Sequence, residues 1–442
     1  MLTIRAFIVR QSIFAFSGHF SGSCSPPQGP GLPHPAYFIC QPPAAAGKLC
    51  RMNDGPTSRP RVLLVSAGVG AGHNQAARAI MAGLAQADPS LPVEWLDVLT
   101  ITSRAFTLYY AGGYNLLVTR LPWLYGFGYW LTDRPHGPRR GLLERRRLWS
   151  ERRSLGPLAR WLGERLPALV VNTHFVSQPM VTHLIGRGTP GLRQMTVVTD
   201  YHAHRWWCAQ RVDRFFVPDE FGRQRLIDFG TPAESVELTG LPVHPKWRQP
   251  LEEAEIRGRW KLPAGRPVVL VAGGVSFAVG GIADMAQELC RRLGQAFVVV
   301  LAGQNKQLMG RLAAMPEAQG DNAALRIVSF TDRIHELVQL SSVFLTKSGG
   351  MTVSEATTKG TPLVLMRPVP GQEAYNARMM VDSGAAVQAN TQQEAVELVV
   401  ALLNDPARLQ QLADNARRLD RPATTMICEK ILEAVAKMGS PV

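Results

Sequence analysis

Residues Val62–His73 read Val-Leu-Leu-Val-Ser-Ala-Gly-Val-Gly-Ala-Gly-His, and the pattern of an amphipathic helix follows over Asn74–Gln86. The apolar run Val62–Ser66 is typical of a buried strand. The glycines after it permit a tight turn, and they let a ligand approach backbone N–H groups at the start of a helix. A strand, a glycine loop and a helix in this order indicate the first unit of a parallel sheet.

The same alternation of apolar runs and amphipathic stretches continues along the chain. The first series of predicted strands is Val62–Ser66, Val93–Asp97, Ala168–Asn172, Met195–Thr199 and Arg214–Val217, and the second is Val268–Ala272, Phe297–Ala302, Arg326–Ser329, Val343–Thr346 and Pro362–Met366. Helices are predicted between most of them, including Asn74–Gln86, Gly281–Leu293 and Thr352–Lys359. The sequence therefore predicts an α/β fold with two Rossmann-like, doubly wound parallel-sheet domains joined near Gly240–Pro245. Ligands of such sheets bind at the carboxyl ends of the strands, which here face a cleft between the domains.

The composition excludes several classes of protein. With 442 residues, 46% of them hydrophobic and 19% charged, the chain is neither disordered nor fibrous. No apolar run reaches the roughly 18 residues that cross a bilayer. Six cysteines without a Cys-x-x-Cys pair argue against a disulfide scaffold or a thiolate zinc site, and they fit a reducing cytosol. The net charge of +14 requires an anionic partner, such as nucleic acid, lipid headgroups or phosphorylated substrates.

Residues 1–51 differ from the rest of the chain. They include a Pro- and Gly-rich stretch around residues 23–33 and no acidic residue, and their apolar run is interrupted by Arg10 and Gln11. This segment is a poor signal peptide. We interpret it as a leader that is disordered or that reflects a misassigned start, with translation beginning at Met52.

The glycine loop ends in His73, whose imidazole we expect to face the cleft. A histidine there could act as the general base on a hydroxyl group, because its pKa lies near the working pH; the alternative is a structural histidine. The loop could also be a dinucleotide fingerprint or a plain tight turn. Its spacing departs from Gly-x-Gly-x-x-Gly, since residue 75 is Gln, and Asp97 alone would have to bind the ribose.

Three loops of the second series carry residues suited to a nucleotide sugar. In Thr346–Glu355 a turn of small residues leads into the start of a helix, and such a turn suits a diphosphate. Glu355 in this helix can accept hydrogen bonds from both ribose hydroxyls, or it can simply cap the helix. Arg367–Asn376 presents Gln372 beside Glu373, a pair suited to sugar hydroxyls or to a solvated helix start. The third loop, residues 273–281, is again rich in glycine and follows the strand Val268–Ala272. Together these loops favour a nucleotide-sugar site.

The motifs also resemble a known family. Gly70-x-Gly72-His73, Val198-Thr199-Asp200, Gly240-Leu241-Pro242-Val243, Gly303-Gln304-Asn305, Thr346-Lys347-Ser348-Gly349-Gly350 with Glu355, and Pro370-Gly371-Gln372-Glu373 occur in this order. Over about residues 61–435 the chain is similar to the monogalactosyldiacylglycerol synthases and processive diacylglycerol glucosyltransferases of glycosyltransferase family 28, which have the GT-B fold. The resemblance implies an acceptor- and membrane-binding domain over 52–240 and a UDP-sugar-binding domain over 241–442, whose last helix returns to the first domain.

The resemblance implies inverting transfer of a hexose from UDP-glucose or UDP-galactose to the hydroxyl of diacylglycerol. His73 would be the base that takes the acceptor proton. The residues implied for the UDP-sugar are Gly273, Gly274, Thr331, Ser348, Gly349, Gly350, Thr352, Glu355, Gln372 and Glu373. The residues expected on the acceptor or membrane side are Gly70, Gly72, Trp123, Trp130, Asp200, Trp206 and Trp207. Helix N-termini would neutralise the leaving UDP, so no catalytic metal or other cofactor is expected.

The sequence departs from the family at two places. Many relatives have Gly-Gly-Gly-His, whereas Ala71 stands within this run. The segment after Asp200 is shorter than in the plant enzymes. Trp206 and Trp207 are expected there to contact the lipid acceptor, with core packing as the alternative. His202 and His204 could also form a metal pair, which their spacing disfavours.

A cluster of aromatic residues precedes a cluster of arginines. The aromatics are Tyr109, Tyr110, Tyr114, Trp123, Tyr125, Phe127, Tyr129 and Trp130, and the arginines are Arg134, Arg139, Arg140, Arg145, Arg146, Arg147, Arg152 and Arg153. Aromatics at headgroup level beside arginines predict a peripheral membrane surface that binds anionic lipids on the cytosolic face. The alternatives are a solvated basic helix or a nucleic-acid patch, and we expect no nucleic acid because no recognised binding fold accompanies the arginines.

Two other functions stay open at this point. One is a family-28 transferase that acts on another lipid-linked or soluble acceptor. The other is a catalytically silent UDP-sugar sensor, which the presence of both His73 and Glu355 disfavours.

Overall fold

The computed structural model describes residues 60–134, 141–273, 281–320 and 323–439, all of which belong to one compact unit. The predicted leader 1–51, the proposed start at Met52, the site residue Gly274 and the arginines Arg139 and Arg140 lie outside the described residues.

The first half of the described chain forms a six-stranded parallel sheet. Its strands are β1 (Val62–Ser66), β2 (Val93–Asp97), β3 (Leu169–Asn172), β4 (Arg193–Val197), β5 (Arg214–Val217) and β6 (Val236–Leu238), in the order β2-β1-β3-β4-β5-β6. Its helices are α1 (Gly72–Ala87), α2 (Arg104–Thr107), α3 (Gly113–Arg120), α4 (Pro122–Thr132), α5 (Leu142–Ser154), α6 (Gly156–Arg165), α7 (Gln178–Gly186) and α8 (Glu220–Asp228). Strand β1 is fully buried, because it pairs with a parallel strand on each side and is covered by helices on both faces.

The second half forms another six-stranded parallel sheet. Its strands are β7 (Val268–Ala272), β8 (Phe297–Gly303), β9 (Leu325–Ser329), β10 (Val343–Thr346), β11 (Leu363–Met366) and β12 (Ala386–Ala389), in the order β12-β11-β10-β7-β8-β9. Its helices are α9 (Glu253–Trp260), α10 (Ile282–Arg292), α11 (Lys306–Ala313), α12 (Ile334–Leu340), α13 (Gly350–Lys359), α14 (Gln372–Asp382), α15 (Gln392–Leu403), α16 (Pro406–Leu419) and α17 (Ala423–Gly439). Counted from β7, this is the strand order of a dinucleotide-binding Rossmann sheet. Two parallel sheets of this kind confirm the predicted α/β fold.

The helix α17 crosses back to the first sheet. Its residues Ile427 and Ile431 are fully buried in one cluster with Ile80 of α1, and the thiol of Cys428 faces the carbonyl oxygen of Ile80 at 3.6 Å. Gly83 of α1 makes this approach possible, since a Cβ there would lie 2.6 Å from Thr424 Cγ2. The end of the chain therefore completes the core of the first sheet.

The predicted strands differ from the observed ones at a few points. The prediction Met195–Thr199 was wrong by two residues, because β4 pairs with β3 over Arg193–Thr196, and Thr199 lies in the loop beyond its end. The edge strands β6 and β12 were not predicted. They have only three and four residues and include partly exposed positions, so their apolar pattern is weak. Among the described residues, no helix is both long and apolar enough to cross a membrane.

Candidate active site between the two sheets

His73 lies where the strand order of the first sheet reverses. The chain leaves β1 toward β2 on one side, whereas β3 and β4 lie on the other. The loops after β1 and β3 therefore separate and leave a crevice, which is where open α/β sheets bind ligands. His73 is the second residue of α1, so its side chain emerges into this crevice, next to Thr173 after β3 and Thr199 after β4.

The hydrogen bonds of His73 define its tautomer. Its Nδ1 lies 3.1 Å from the carbonyl oxygen of Thr173 and 2.7 Å from Thr199 Oγ1. A carbonyl oxygen only accepts, so Nδ1 carries the proton and donates it. The Thr173 hydroxyl also donates to the backbone carbonyl of His73, at 3.0 Å. The lone pair of the neutral ring is therefore on Nε2, which has no hydrogen-bond partner among the described residues.

The surroundings of His73 keep its ring neutral. Burial lowers its pKa to about 4, although the hydrogen bond to Thr173 opposes this. The ring of His174 packs edge-on against it with centroids 4.4 Å apart, and Trp207 forms the wall behind. At neutral pH the ring is therefore neutral, and its free Nε2 can take a proton from a hydroxyl group. The pKa lies below the near-neutral value expected from the sequence, because burial disfavours the charged ring and makes it a weaker base.

A carboxylate of the first sheet holds the glycine loop before His73 in place. Asp97 at the end of β2 accepts from the backbone N–H of Gly68 and from the side-chain amide of Asn74, both at 3.0 Å. Gly70 adopts a positive φ of 83°, which glycine allows at little cost. The alternative that Asp97 would bind the ribose of a dinucleotide is thus wrong, since its carboxylate braces the loop itself.

The second sheet has its own reversal point, between β7 and β10. Gly273 follows β7 there and is buried, and Ser348, Gly349 and Gly350 connect β10 to α13. The Ser348 side chain is fully buried and its hydroxyl donates to the carbonyl oxygen of Glu373 at 2.8 Å. Ser348 thus braces two loops with its side chain, which leaves only the backbone of this turn for a diphosphate.

The two reversal points face each other at close range. A Cβ on Gly350 would lie 2.9 Å from the carbonyl oxygen of Thr199, and one on Gly72 would lie 3.4 Å from Met351 Cγ. The hydroxyls of Tyr201 and Ser354 are 2.9 Å apart across the same junction. The first turn of α13, including Thr352, therefore opens beside the loop that carries His73.

Glu355 lies in the second turn of α13. Its carboxylate has no hydrogen-bond partner among the described residues, and burial raises its pKa to about 8, with only Lys246 acting in the other direction. A partly buried carboxylate without hydrogen-bond donors is unfavourable unless a ligand supplies them. Thr331, expected near the base of the nucleotide, lies after β9, and its hydroxyl accepts from the backbone N–H of Arg333 at 3.0 Å.

Gln372 and Glu373 begin helix α14 at the edge of the same cleft. Gly371 before them has a φ of 102°. Glu373 forms an ion pair of 2.6 Å with Lys347, and Gln372 accepts a hydrogen bond of 3.2 Å from the hydroxyl of Tyr125 in α4. An aromatic helix of the first half therefore touches the loop expected to hold the sugar.

Asp200 faces the same space. Burial and the charge of Glu373 raise the pKa of Asp200 to about 7. Its charge also contributes to the raised pKa values of Tyr114, Tyr125 and Tyr129, whose main cause is burial. These groups therefore lie within electrostatic range of one another.

The segment after Asp200 corrects one prediction. Trp207 is 1% exposed and belongs to a core cluster with Phe215 and Leu226, so the expectation that it meets the membrane or the acceptor was wrong. Trp206 is half-buried, with the guanidinium of Arg147 5.1 Å from its ring.

The two histidines of this segment are structural. His202 donates to Asp133 at 2.7 Å and stacks on Tyr375, whereas His204 lies 3.2 Å from the carbonyl oxygen of Tyr129. Asp133 also binds Arg225 at 2.7 Å, so this cluster fastens the end of α4. Within the described ranges, no group of three His, Cys, Asp or Glu side chains could hold a metal ion.

The outer face of α4 is apolar and exposed. Trp123 is 68% and Trp130 51% exposed, and Phe127 lies between them at helical spacing. Arg134 stacks on Trp130 at 3.6 Å, and Trp149 of α5 is 65% exposed close to Arg153. The opposite face, with Tyr125, Gly126 and Tyr129, contacts the loop around Gly371.

Sequence reasoning missed several residues of this site. Thr173 and Thr199 orient His73, and Lys347 pairs with Glu373. Asn376 of α14 donates to the carbonyl oxygen of Ser348 and accepts from the N–H of Tyr201. Thr173 carries no motif signal, whereas Thr199, Lys347 and Asn376 lie within motifs or loops from which other residues were chosen.

Comparisons with known proteins give matches in both halves of the chain. Residues 73–243 match the monogalactosyldiacylglycerol (MGDG) synthase family, and residues 252–419 match glycosyl transferases group 1. The chain is 31% identical over 284 residues to the processive diacylglycerol beta-glucosyltransferase of Bacillus subtilis (63% of this chain, 71% of the relative). It is 31% identical over 241 residues to the enzyme of the same name from Bacillus pumilus (54% of this chain, 61% of the relative).

Solved structures share the fold. A glycotransferase of kitacinnamycin has a TM-score of 0.57 at 15% identity, covering 85% of this chain and 99% of that chain. Staphylococcus aureus MnaA with UDP has a TM-score of 0.55 at 14% identity, covering 86% and 97%. At these identities the likeness concerns the fold alone, and it confirms the two-domain GT-B arrangement.

Proposed function

Because this chain belongs to the family of the monogalactosyldiacylglycerol synthases and processive diacylglycerol beta-glucosyltransferases, we propose that it transfers a hexose from a UDP-sugar to the hydroxyl of diacylglycerol. It is a glycosyltransferase, and the hexose we propose is glucose or galactose. The observation that carries the proposal is the position of His73, a neutral base with a free Nε2, beside the first turn of α13.

The donor is proposed to lie against the second sheet. Its diphosphate would meet the backbone of Gly273, Gly349 and Gly350 and the N-terminus of α13, whose unpaired N–H groups favour negative charge. Glu355 would accept the ribose hydroxyls, which supply the donors that its carboxylate lacks. The uracil would lie near Thr331, and the hexose near Gln372 and Glu373.

The acceptor is proposed to enter from the side of α4. The hydroxyl oxygen of diacylglycerol attacks the anomeric carbon, its proton passes to Nε2 of His73, and the bond from that carbon to the UDP oxygen breaks. Attack from the face opposite the leaving group inverts the configuration. The negative charge that develops on UDP is stabilised by the N-terminus of α13, so these residues need no metal ion for this step.

The exposed aromatic face of α4 is proposed to bind the membrane that holds the acceptor. Trp123, Phe127 and Trp130 would lie at headgroup level, and arginines such as Arg134 and Arg153 would attract anionic lipids. The enzyme would thus act from the cytosolic face, where UDP-sugars are made.

The test uses vesicles of diacylglycerol and anionic lipid with radiolabelled UDP-glucose or UDP-galactose. We expect label in a glycolipid with one donor, loss of this label in His73→Ala, and UDP binding unchanged in that variant. His183 of α7, which is only partly exposed and lies outside the candidate site, offers the matched control, since His183→Ala should remain active. No glycolipid from either donor, with UDP binding intact, would contradict the diacylglycerol assignment and favour another acceptor or a sensor.

A further inference from the structure

Helix α4 has a second contact that the proposed reaction does not use. Gly126 packs so closely on Pro370 that a Cβ on the glycine would lie 2.6 Å from the Pro370 Cβ. A Cβ on Gly371 would in turn lie 2.9 Å from Tyr125 Cε1 and 3.4 Å from Tyr129 Cγ. The Pro370 ring and the backbone of Gly371 therefore rest directly on the inner face of α4.

One polar contact is embedded in this packing. The Tyr125 hydroxyl donates to Oε1 of Gln372 at 3.2 Å. Burial raises the pKa of Tyr125 well above its ordinary value, so the hydroxyl keeps its proton and remains a donor. With Oε1 engaged, the amide group has a defined orientation, and its two N–H bonds point away from Tyr125.

We infer that Tyr125 is a positioning residue for the hexose of the donor, acting through Gln372. Without its hydroxyl the amide of Gln372 could rotate by half a turn, so that an oxygen would replace the N–H donors offered to a sugar hydroxyl. The inference rests on the proposed function for the place of the sugar, and it adds a residue from the other sheet to sugar recognition. Tyr125 contacts the hexose subsite only, so the nucleotide part of the donor does not depend on it.

The experiment is Tyr125→Phe, which keeps the ring that packs on Gly371 and removes only the hydroxyl. Calorimetry would compare the Kd of UDP with the Kd of UDP-glucose and UDP-galactose. We expect unchanged UDP binding and about 3- to 10-fold weaker binding of the preferred UDP-hexose, which corresponds to one neutral hydrogen bond. In turnover, KM for that donor should rise by a similar factor with kcat nearly unchanged.

Two further variants make the test specific. In Gln372→Met, which removes the amide, adding Tyr125→Phe should cause no further loss, because the two residues act as a unit. Tyr109→Phe makes the same chemical change at a tyrosine that is 75% exposed, and in solution without vesicles it should leave the Kd of UDP and of both UDP-hexoses unchanged. Equal weakening of UDP and UDP-hexose in Tyr125→Phe, no weakening at all, or additive losses in the double variant would each overturn the inference.

The result for Tyr125→Phe can be distinguished from the result of the glycolipid assay that tests the proposed function. If no glycolipid forms but Tyr125→Phe still weakens UDP-hexose relative to UDP, the acceptor assignment fails and the inference holds. If the wild-type protein binds UDP-hexose no more tightly than Gln372→Met does, the sugar is not held by Gln372 and the inference fails.

Discussion

Replacing Glu355 by Gln should stabilise the free enzyme and weaken its donor binding. The carboxylate is partly buried in α13 and lacks a hydrogen-bond donor among the described residues, and burial raises its pKa from 4.5 to about 8. Since the folded-state pKa lies above the unfolded one, the folded protein binds an extra proton between pH 4.5 and 8. Stability therefore falls as the pH rises through this window.

The size of the effect follows from this shift. One pKa unit corresponds to about 1.4 kcal/mol, which sets an upper bound of about 5 kcal/mol above pH 8. Solvent near the partly exposed side chain screens its charge, so we expect a gain of about 1–3 kcal/mol for Glu355→Gln at pH 8.5. At pH 4.5 the gain should vanish, because the wild-type carboxyl is then protonated in the folded state.

Donor binding should change in the opposite direction. Hydrogen bonds from ribose hydroxyls to an ionised carboxylate contribute about 1.5–3 kcal/mol, so Glu355→Gln should weaken UDP-hexose binding by about 10- to 100-fold. Binding of the donor favours the ionised form, and wild-type affinity should therefore increase as the pH rises from 6.5 to 8.5, with release of a proton.

The assay combines thermal unfolding with titration calorimetry in buffers of different ionisation enthalpy. The matched control is Glu255→Gln, at an exposed position of α9, which should change neither quantity. A Glu355→Gln variant that is less stable at pH 8.5, or that binds UDP-hexose as tightly as the wild type, would refute this account of Glu355.

Three other perturbations probe the remaining parts of the site. Thr199→Val removes one of the two oxygens that hold Nδ1 of His73, and it should lower kcat about 3- to 10-fold without changing UDP binding. Because burial lowers the pKa of His73 to about 4, the ring stays unprotonated between pH 6 and 8, and kcat should not fall in this range. A steep fall of kcat there would contradict His73 as the base. The double change Trp123→Ser and Trp130→Ser should reduce co-sedimentation with anionic vesicles at least about 10-fold while thermal stability stays the same, since both side chains are exposed; unchanged sedimentation would exclude this face. Gly371→Ala adds a Cβ at a φ of 102° against the Tyr125 ring. It should weaken UDP-hexose binding and lower the free energy of unfolding by about 1–3 kcal/mol, measured by denaturant unfolding. An unaffected Kd for UDP-hexose would mean that this loop does not hold the sugar.

The sequence by itself was sufficient for the fold and for the edge of each sheet at which the candidate site residues lie. Buried strands such as β1 and β10 are continuous apolar runs followed by small-residue turns, and this pattern is local in the chain. His73, Glu355 and the Gln372–Glu373 pair stand at the ends of such runs, so their place at the carboxyl edge of a sheet could be predicted.

Only the tertiary structure decided which side chains serve each other. Thr173 and Asn376 act through contacts 100 and 28 residues away along the chain, to His73 and Ser348. Trp206 and Trp207 are adjacent and of the same type, yet Trp207 is in the core and Trp206 is half-exposed, because the turn after His204 directs them differently. Tyr125 reaches Gln372 only because two glycines, Gly126 and Gly371, let α4 approach the loop. Burial, the pKa values that follow from it and contacts between distant segments depend on how the two sheets pack, which no local pattern contains.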